Sequence, residues 1–453
     1  MGKHSKFSAR ASLAAIGVRM RQLGIWQVIE RHVQIKQKVI KHTPLNKLLD
    51  AFINILAGGQ GLVEVNTRVR PDEGMQRAFG RADCADQSTI SETLNHCTDE
   101  TVVQLEEALQ TIYQTHSQGY QHDYTKGYQV LDVDMTGMPA GRQGEGVTKG
   151  YFAGQKNRRG RQLGRVVATQ YDEIVVDRLY DGKRQLDRSL QALVMATEDV
   201  LGLSAERRHR TILRVDAGGG RDDDINWMLA RGYHILVKVK HYKRSAKLAR
   251  SVTVWYPDPK VEGREVGWVE ALQPYIKPTR QLAIRKRKRT GEWSYHVLVF
   301  TLSDQILCWL GRQPIRTQPT PDQVLFAALA AYDLRSGGVE TSIKGSKQGL
   351  GLTRRNKRHF AAQEMLVLLA QLAYNLIAWT HPLFADAPNK LRKFGVLRMV
   401  RDAFHIPGRL VLDDQGHLLQ IVLCVKHPLA RSFALGLAPL LVRDDLSLIW
   451  GEI

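Results

Sequence analysis

The chain has 453 residues, is 43% hydrophobic and carries a formal net charge of +20, with a pI near 9.8. That length accommodates roughly two to four domains with full cores. Cys84, Cys97, Cys308 and Cys424 are scattered without ligand spacing, which excludes a disulfide scaffold or structural zinc site and fits a reducing cytoplasm. The basic excess points to a polyanion, and the longest apolar run, Met365 to Trp379, is broken by Gln371 and Asn375 and is too short to span a bilayer.

Basic residues come in four clusters, at 158–161, 207–210, 285–289 and 354–358. Any one is ordinary surface; four together make nucleic acid the leading partner. The N-terminus is basic and amphipathic and has no signal-type apolar core. From Leu13 to Ile29 apolar residues recur at helical spacing. Thr43-Pro44 then gives an N-cap with proline at the first helical position, and Gly58-Gly59 closes that helix. A short helix around Gln87, Ser88, Thr89 and Ser91 to Asn95 carries polar groups suited to base-edge and phosphate contact, or it is simply a capped surface helix. Asp99 to His116 continues as a helix, and Gln118-Gly119 marks a boundary, so residues 1–125 are expected to be an all-helical DNA-binding domain.

From Gly127 to Gly137 the chain reads Gly-Tyr-Gln-Val-Leu-Asp-Val-Asp-Met-Thr-Gly. This is a buried strand with Asp132 and Asp134 on one face, because strand side chains alternate. A buried carboxylate is costly unless paired or bound to metal. After a Gly-rich basic loop, Gly141 to Arg161, come two extended stretches, Gly164 to Gln170 and Glu173 to Leu179, and then a helix from Ser189 to Leu201. A strand ends at Asp216 and runs into three glycines that let the backbone approach a phosphate. Asp222-Asp223-Asp224 opens a helix, its acids suiting the positive end of the dipole, and Tyr233 to Lys240 is another strand. Three strands, a helix, a strand, a helix and a strand is the order of a ribonuclease H-like α/β fold, a mixed sheet flanked by helices. In it the first and fourth strands adjoin, which brings Asp134 and Asp216 together across residues 126–240.

Residues 241–320 read as a β-rich insertion with strands at Val252 to Tyr256, Arg280 to Arg287, Ser294 to Leu302 and Ile306 to Leu310. Trp255, Trp268, Trp293 and Trp309 fall here and suit a small-sheet core better than base stacking. Residues 321–390 supply closing helices, one starting at Thr320-Pro321 and the apolar one at Met365 to Trp379; Glu340 and Lys347 share a helix face seven apart. Residues 391–453 form a tail with a hairpin around Asp413 to Gly416.

With Leu-Asp-Val-Asp-Met-Thr around Asp134, Arg-Val-Asp-Ala-Gly-Gly-Gly around Asp216, and Tyr332, Arg335, Glu340 and Lys347 in place, the chain resembles the DDE-type insertion-sequence transposases with a β-rich insertion, over roughly residues 125 to 380. Their Tyr-x2-Arg-x3-Glu-x6-Lys signature is kept except that four residues, Ser336 to Val339, separate Arg335 from Glu340. The resemblance implies Asp134, Asp216 and Glu340 as catalytic metal ligands for Mg²⁺, with Mn²⁺ as the alternative and Asp132 as rival for the first position. Two-ion phosphoryl transfer needs such a carboxylate set. It implies Tyr332, Arg335, Lys344 and Lys347 as a phosphate grip, joined by Arg354, Arg355, Lys357 and Arg358 from the nearby basic cluster. The implied partners are double-stranded DNA, as terminal inverted repeats and target, and a second copy in a homodimeric synaptic complex, in the cytoplasm with the nucleoid. A stand-alone metal-dependent nuclease and a non-catalytic DNA-binding regulator are the competing readings; an intact triad argues against the regulator.

Overall fold

The computed structural model describes residues 4–453 except 151, 153, 154, 156, 315–318, 386–389 and 443–445. Parts of the Gly-rich loop and of the insertion therefore lie outside the described residues. The chain forms two compact units: Met1–Ser117, Pro139–Val147 and Ile343–Ile453 make the first, Gln118–Met138 and Thr148–Ser342 the second. The N-terminal part of the first unit is helical, as its periodicity predicts, apart from strand β1 (His4–Ser8). The helix Pro44–Leu56 starts where the sequence indicates, with the Thr43 hydroxyl accepting from the Asn46 N–H. The helix Asp99–His116 buries Val102, Leu105, Leu109 and Ile112 at the expected 3.6 period.

The second unit is built on one sheet. Its strands are β2 (Gln129–Pro139), β3 (Thr148–Lys149), β4 (Arg159–Ala168), β5 (Glu173–Asp181), β6 (Thr211–Val215), β7 (His234–Lys238), β8 (Tyr256–Pro257), β9 (Arg264–Trp268), β10 (Arg280–Arg287) and β11 (Trp293–Phe300). The order runs β3-β4-β2-β6-β7-β11-β10-β9-β8, with β5 also paired to β4. Within it, β5-β4-β2-β6-β7 is the ribonuclease H-like arrangement. β4 and β5 pair antiparallel, whereas β2 and β6, and β6 and β7, pair parallel. The insertion does not form a sheet of its own. β11 pairs antiparallel with β7, matching Leu298 to Lys238 and Phe300 to Leu236, so the same sheet continues into the inserted strands.

Three expectations for the insertion are corrected: of Val252 to Tyr256, only Tyr256 is in a strand, Tyr256–Pro257. Ile306 to Leu310 belongs to a helix, Asp304–Leu310, whose N-cap Ser303 accepts from the Ile306 N–H. The strand Arg264–Trp268 was absent from the sequence reading and pairs with β10. Helices Asp304–Leu310 and Pro321–Asp333 cover one sheet face, packing Leu307, Val324, Leu325 and Ala328 against Val130, Ile212, Leu236, Leu298 and Phe300. Apolar burial of that kind is worth roughly 1.5–3 kcal/mol per large side chain and makes a rigid platform for the acid-bearing strand ends.

The first unit closes with the helix Phe360–Thr380 and strands β12 (Gly408–Leu412), β13 (Leu418–Cys424) and β14 (Ser447–Gly451). Phe360–Phe384 is long and apolar enough to cross a membrane, but 89% of its most apolar window is buried in the protein; it is a core helix. The C-terminal hairpin is no loose tail, since β1-β12-β13-β14 form a four-stranded sheet in which the first strand of the chain pairs antiparallel with β12.

Candidate active site

The register of β2 against β6 brings the first two acids together. Asp132 lies opposite Arg214 and Val133 opposite Val215, so the next step along both strands sets Asp134 beside Asp216; β6 ends there, while β2 runs on to Pro139. Asp216 caps a 3-10 turn, Ala217–Gly219, and its carboxylate accepts from the Gly218 N–H at 2.8 Å. The third glycine serves packing: a Cβ at Gly220 would lie 1.9 Å from the Lys238 carbonyl, so only glycine lets this turn press against β7. Glu340 arrives in the first turn of the helix Val339–Gly349.

The three acids converge on one guanidinium. Arg335 places Nη1 at 3.2 Å from Asp134, and Nη2 at 3.9 Å from Asp216 and 3.5 Å from Glu340. Its side chain is 6% exposed, against 14% for Asp134, 36% for Asp216 and 54% for Glu340, so the acids open progressively toward solvent. Burial pushes the Asp134 carboxyl up to about 6, with Asp216 adding to the rise and Arg335 opposing it. The neighbouring acids hold the Arg335 guanidinium above its ordinary value despite burial. Tyr332 is raised by burial beside the same guanidinium. Lys238 is lowered by burial, with Asp216 opposing. A cleft lined by Asp134, Thr136, Gln162, Gln185, Asp216 and Gly218 opens at this point.

Three carboxylates from three elements are hard oxygen donors, the set that suits Mg²⁺ or Mn²⁺. Among the described residues no three acid, histidine or cysteine side chains lie close enough to enclose an ion. Arg335 is what stands between them. The donor chemistry fits a divalent cation, and in the structure the guanidinium carries the positive charge these acids require.

Asp132 is not on this opening. It is fully buried, and its carboxylate takes both Arg214 Nε at 2.6 Å and Nη2 at 2.8 Å, and the Thr169 hydroxyl at 2.7 Å. That engagement sets its surroundings apart from those of Asp134.

The nominated DNA-contacting residues divide. Arg335 points into the acids, and four residues rather than three stand between it and Glu340. Arg355 is buried and spends its guanidinium on the carbonyls of Gly59, at 2.6 Å, and Leu350. It is a structural arginine in the first unit. Ser91 and Lys357 bond to each other. The Ser88 hydroxyl donates to Asp86, and the Thr89 hydroxyl to the Asp86 carbonyl. Gln87 is half-buried and donates its N–H to Asn66. Lys344, Arg354 and Arg358 are exposed, and Lys347 is half-buried. Arg214 and Lys238 were missed by the sequence reading. The signal for both was a cation on an otherwise apolar buried strand, within two residues of an acid or of the strand end.

A family model described as the transposase DDE domain matches residues 125–376. No curated protein matches the chain significantly. Among solved structures, a cryo-EM structure of a piggyBac transposase synaptic complex with hairpin DNA aligns with 85% of this chain and 80% of that one. The identity is 11% and the TM-score 0.46.

Proposed function

Since the chain belongs to the transposase DDE domain family and is a metal-dependent DNA transposase, we propose that Asp134, Asp216 and Glu340 are its divalent-metal ligands, with Mg²⁺ as the natural ion. The observation that carries this is the meeting of those three carboxylates, from β2, the end of β6 and the Glu340 helix, around one guanidinium. Bound there, a pair of divalent ions would supply the positive charge that phosphodiester hydrolysis and strand transfer need on their attacking and leaving oxygens. The protein's own part is to hold the carboxylates at a cleft rather than in bulk water, so that charge–charge interactions there act at a lower effective dielectric. Arg335 holds the acids together, and its guanidinium is the group that would grip a DNA phosphate bidentately.

The reading extends to end recognition and synapsis. The exposed and half-buried polar residues of the helix Gln87–Asn95 are proposed to read the terminal repeat, with Lys344, Lys347, Arg354 and Arg358 adding phosphate contacts that carry no sequence information. Two copies of the chain, one on each element end, form the working complex.

The test is incubation of the full chain with its own flanking DNA and Mg²⁺. Nicks at the element boundary and joined 3′ ends are expected. Asp134→Asn, Asp216→Asn and Glu340→Gln should each lower cutting by about 10²–10³-fold, the scale of losing one essential charge-stabilising group, while the DNA still shifts in a gel. Full cutting by any one of them refutes the ligand assignment.

A further inference from the structure

Each acid of the site has a buried counterpart two residues before it, and these counterparts meet. Asp132 precedes Asp134 on β2, Arg214 precedes Asp216 on β6, and Gly338 precedes Glu340. Asp132 and Arg214 are register partners in the parallel pair and bond bidentately at 2.6 and 2.8 Å. The remaining Arg214 nitrogen, Nη1, donates to the Ala331 carbonyl at 2.7 Å, near the end of the helix Pro321–Asp333 that leads to Arg335 and Glu340. Gly338 lies against the other side of Asp132: a Cβ there would stand 2.5 Å from the carboxylate and 2.8 Å from Thr169 Cγ2. One ion pair thus touches every element that delivers an acid.

We propose that Asp132 and Arg214 are positioning residues, a buried clamp that fixes the mutual placement of Asp134, Asp216 and Glu340 and so sets metal affinity from beneath. The proposal rests on the metal-ligand reading of that triad. Bidentate geometry, both partners buried and a third bond to a helix-end carbonyl make a rigid joint. A buried ion pair is weak evidence of added stability, because hydrophobic replacement is often neutral. Its retention beneath a charged site is better explained by placement, as groups behind metal ligands orient them.

The experiment uses the full chain, free of DNA, with Mn²⁺ as the probe read by electron paramagnetic resonance, beside thermal unfolding and end cleavage. The double variant Asp132→Asn/Arg214→Met removes both charges. It should unfold near the wild-type midpoint, bind Mn²⁺ about 10–100-fold more weakly, as loss of outer-shell partners does, and cut roughly 10²-fold more slowly. Arg214→Lys keeps the charge but loses the fork and should fall between. Wild-type Mn²⁺ affinity in the double variant overturns the clamp. Should the double variant fail to fold, Arg214→Lys decides alone: weaker Mn²⁺ binding at an unchanged midpoint supports the clamp, and wild-type binding overturns it. Asp134→Asn and Glu340→Gln run alongside. If they too bind Mn²⁺ normally, the ligand reading fails and the clamp falls with it. If they lose Mn²⁺ while the clamp variants keep it, only the clamp fails.

Discussion

Asp132 and Asp134 leave the same face of β2 two residues apart, and they have opposite surroundings. Around Asp132 every polar partner lies within 2.6–2.8 Å and the carboxylate is fully buried. Around Asp134 the cation is shared among three acids at 3.2–3.9 Å, and the opening widens toward Glu340. The lower layer is a closed joint whose charges are spoken for. The upper layer is an under-filled one, in which one guanidinium serves three carboxylates. On the proposed reading, the open layer is where a divalent ion would bind, and the closed layer is what supports it.

The largest expected effect comes from breaking the closed layer on one side. Asp132→Ala leaves Arg214 as a buried charge whose remaining hydrogen bond, among the described residues, goes to the Ala331 carbonyl. Loss of one member of a buried pair costs about 3–5 kcal/mol, read from urea unfolding of the full chain. Glu340→Gln in the open layer, half-exposed and 3.5 Å from a shared guanidinium, should change stability by less than about 1 kcal/mol while abolishing cleavage. Equal stability losses for the two would erase the distinction between layers.

A smaller effect is expected at the cation that fills the open layer. Arg335→Met leaves Asp134 and Asp216 facing each other without the guanidinium they share, so in chelator the protein should lose about 1–3 kcal/mol, the cost of an unsatisfied buried polar group. The loss stays moderate because Asp134, already pushed up to about 6 by burial, takes a proton instead of carrying a bare charge. Mn²⁺ should then raise the unfolding midpoint more in the variant than in wild type. In the variant the ion meets free carboxylates, and binding stabilises by mass action; in wild type it must first displace Arg335. Identical Mn²⁺-induced shifts would show that Arg335 and the metal do not compete.

Much of this layered site is legible in the sequence, and the part that is not has a physical reason. An acid inside the first strand and one just past the fourth, in the order of a ribonuclease H-like sheet, set Asp134 beside Asp216, because parallel neighbours in matched register keep equivalent positions adjacent. Partners chosen across the fold are not encoded locally. Arg214 reads as one more basic residue until Asp132 is seen opposite it, and Arg355 reads as surface charge until Gly59 closes on it. The run Ile306 to Leu310 fails as a strand because five apolar-rich residues fit either period. Ser303 was the local sign of a helix start. The continuation of the sheet from β7 into β11 is a pairing across some sixty residues of chain, beyond what periodicity can register.

The smallest predicted effect sharpens the comparison most, because it asks whether the closed layer has bonds to spare. Thr169 donates its hydroxyl to Asp132 at 2.7 Å from the end of β4. Thr169→Val keeps the branched shape and removes only that donor. Asp132 retains both bonds from Arg214, so neither charge is left unpaired, and the loss should be that of one hydrogen bond, about 0.5–1.5 kcal/mol. Mn²⁺ affinity and end cleavage should stay within about twofold of wild type, since the Asp132–Arg214 geometry is untouched. A stability loss as large as that of Asp132→Ala would mean the threonine, not the arginine, holds the carboxylate. A normal unfolding midpoint with weakened Mn²⁺ binding would shift the positioning role from the ion pair to the β4 contact. A loss of about one hydrogen bond with metal binding intact leaves Arg214 as the partner on which the acids above depend.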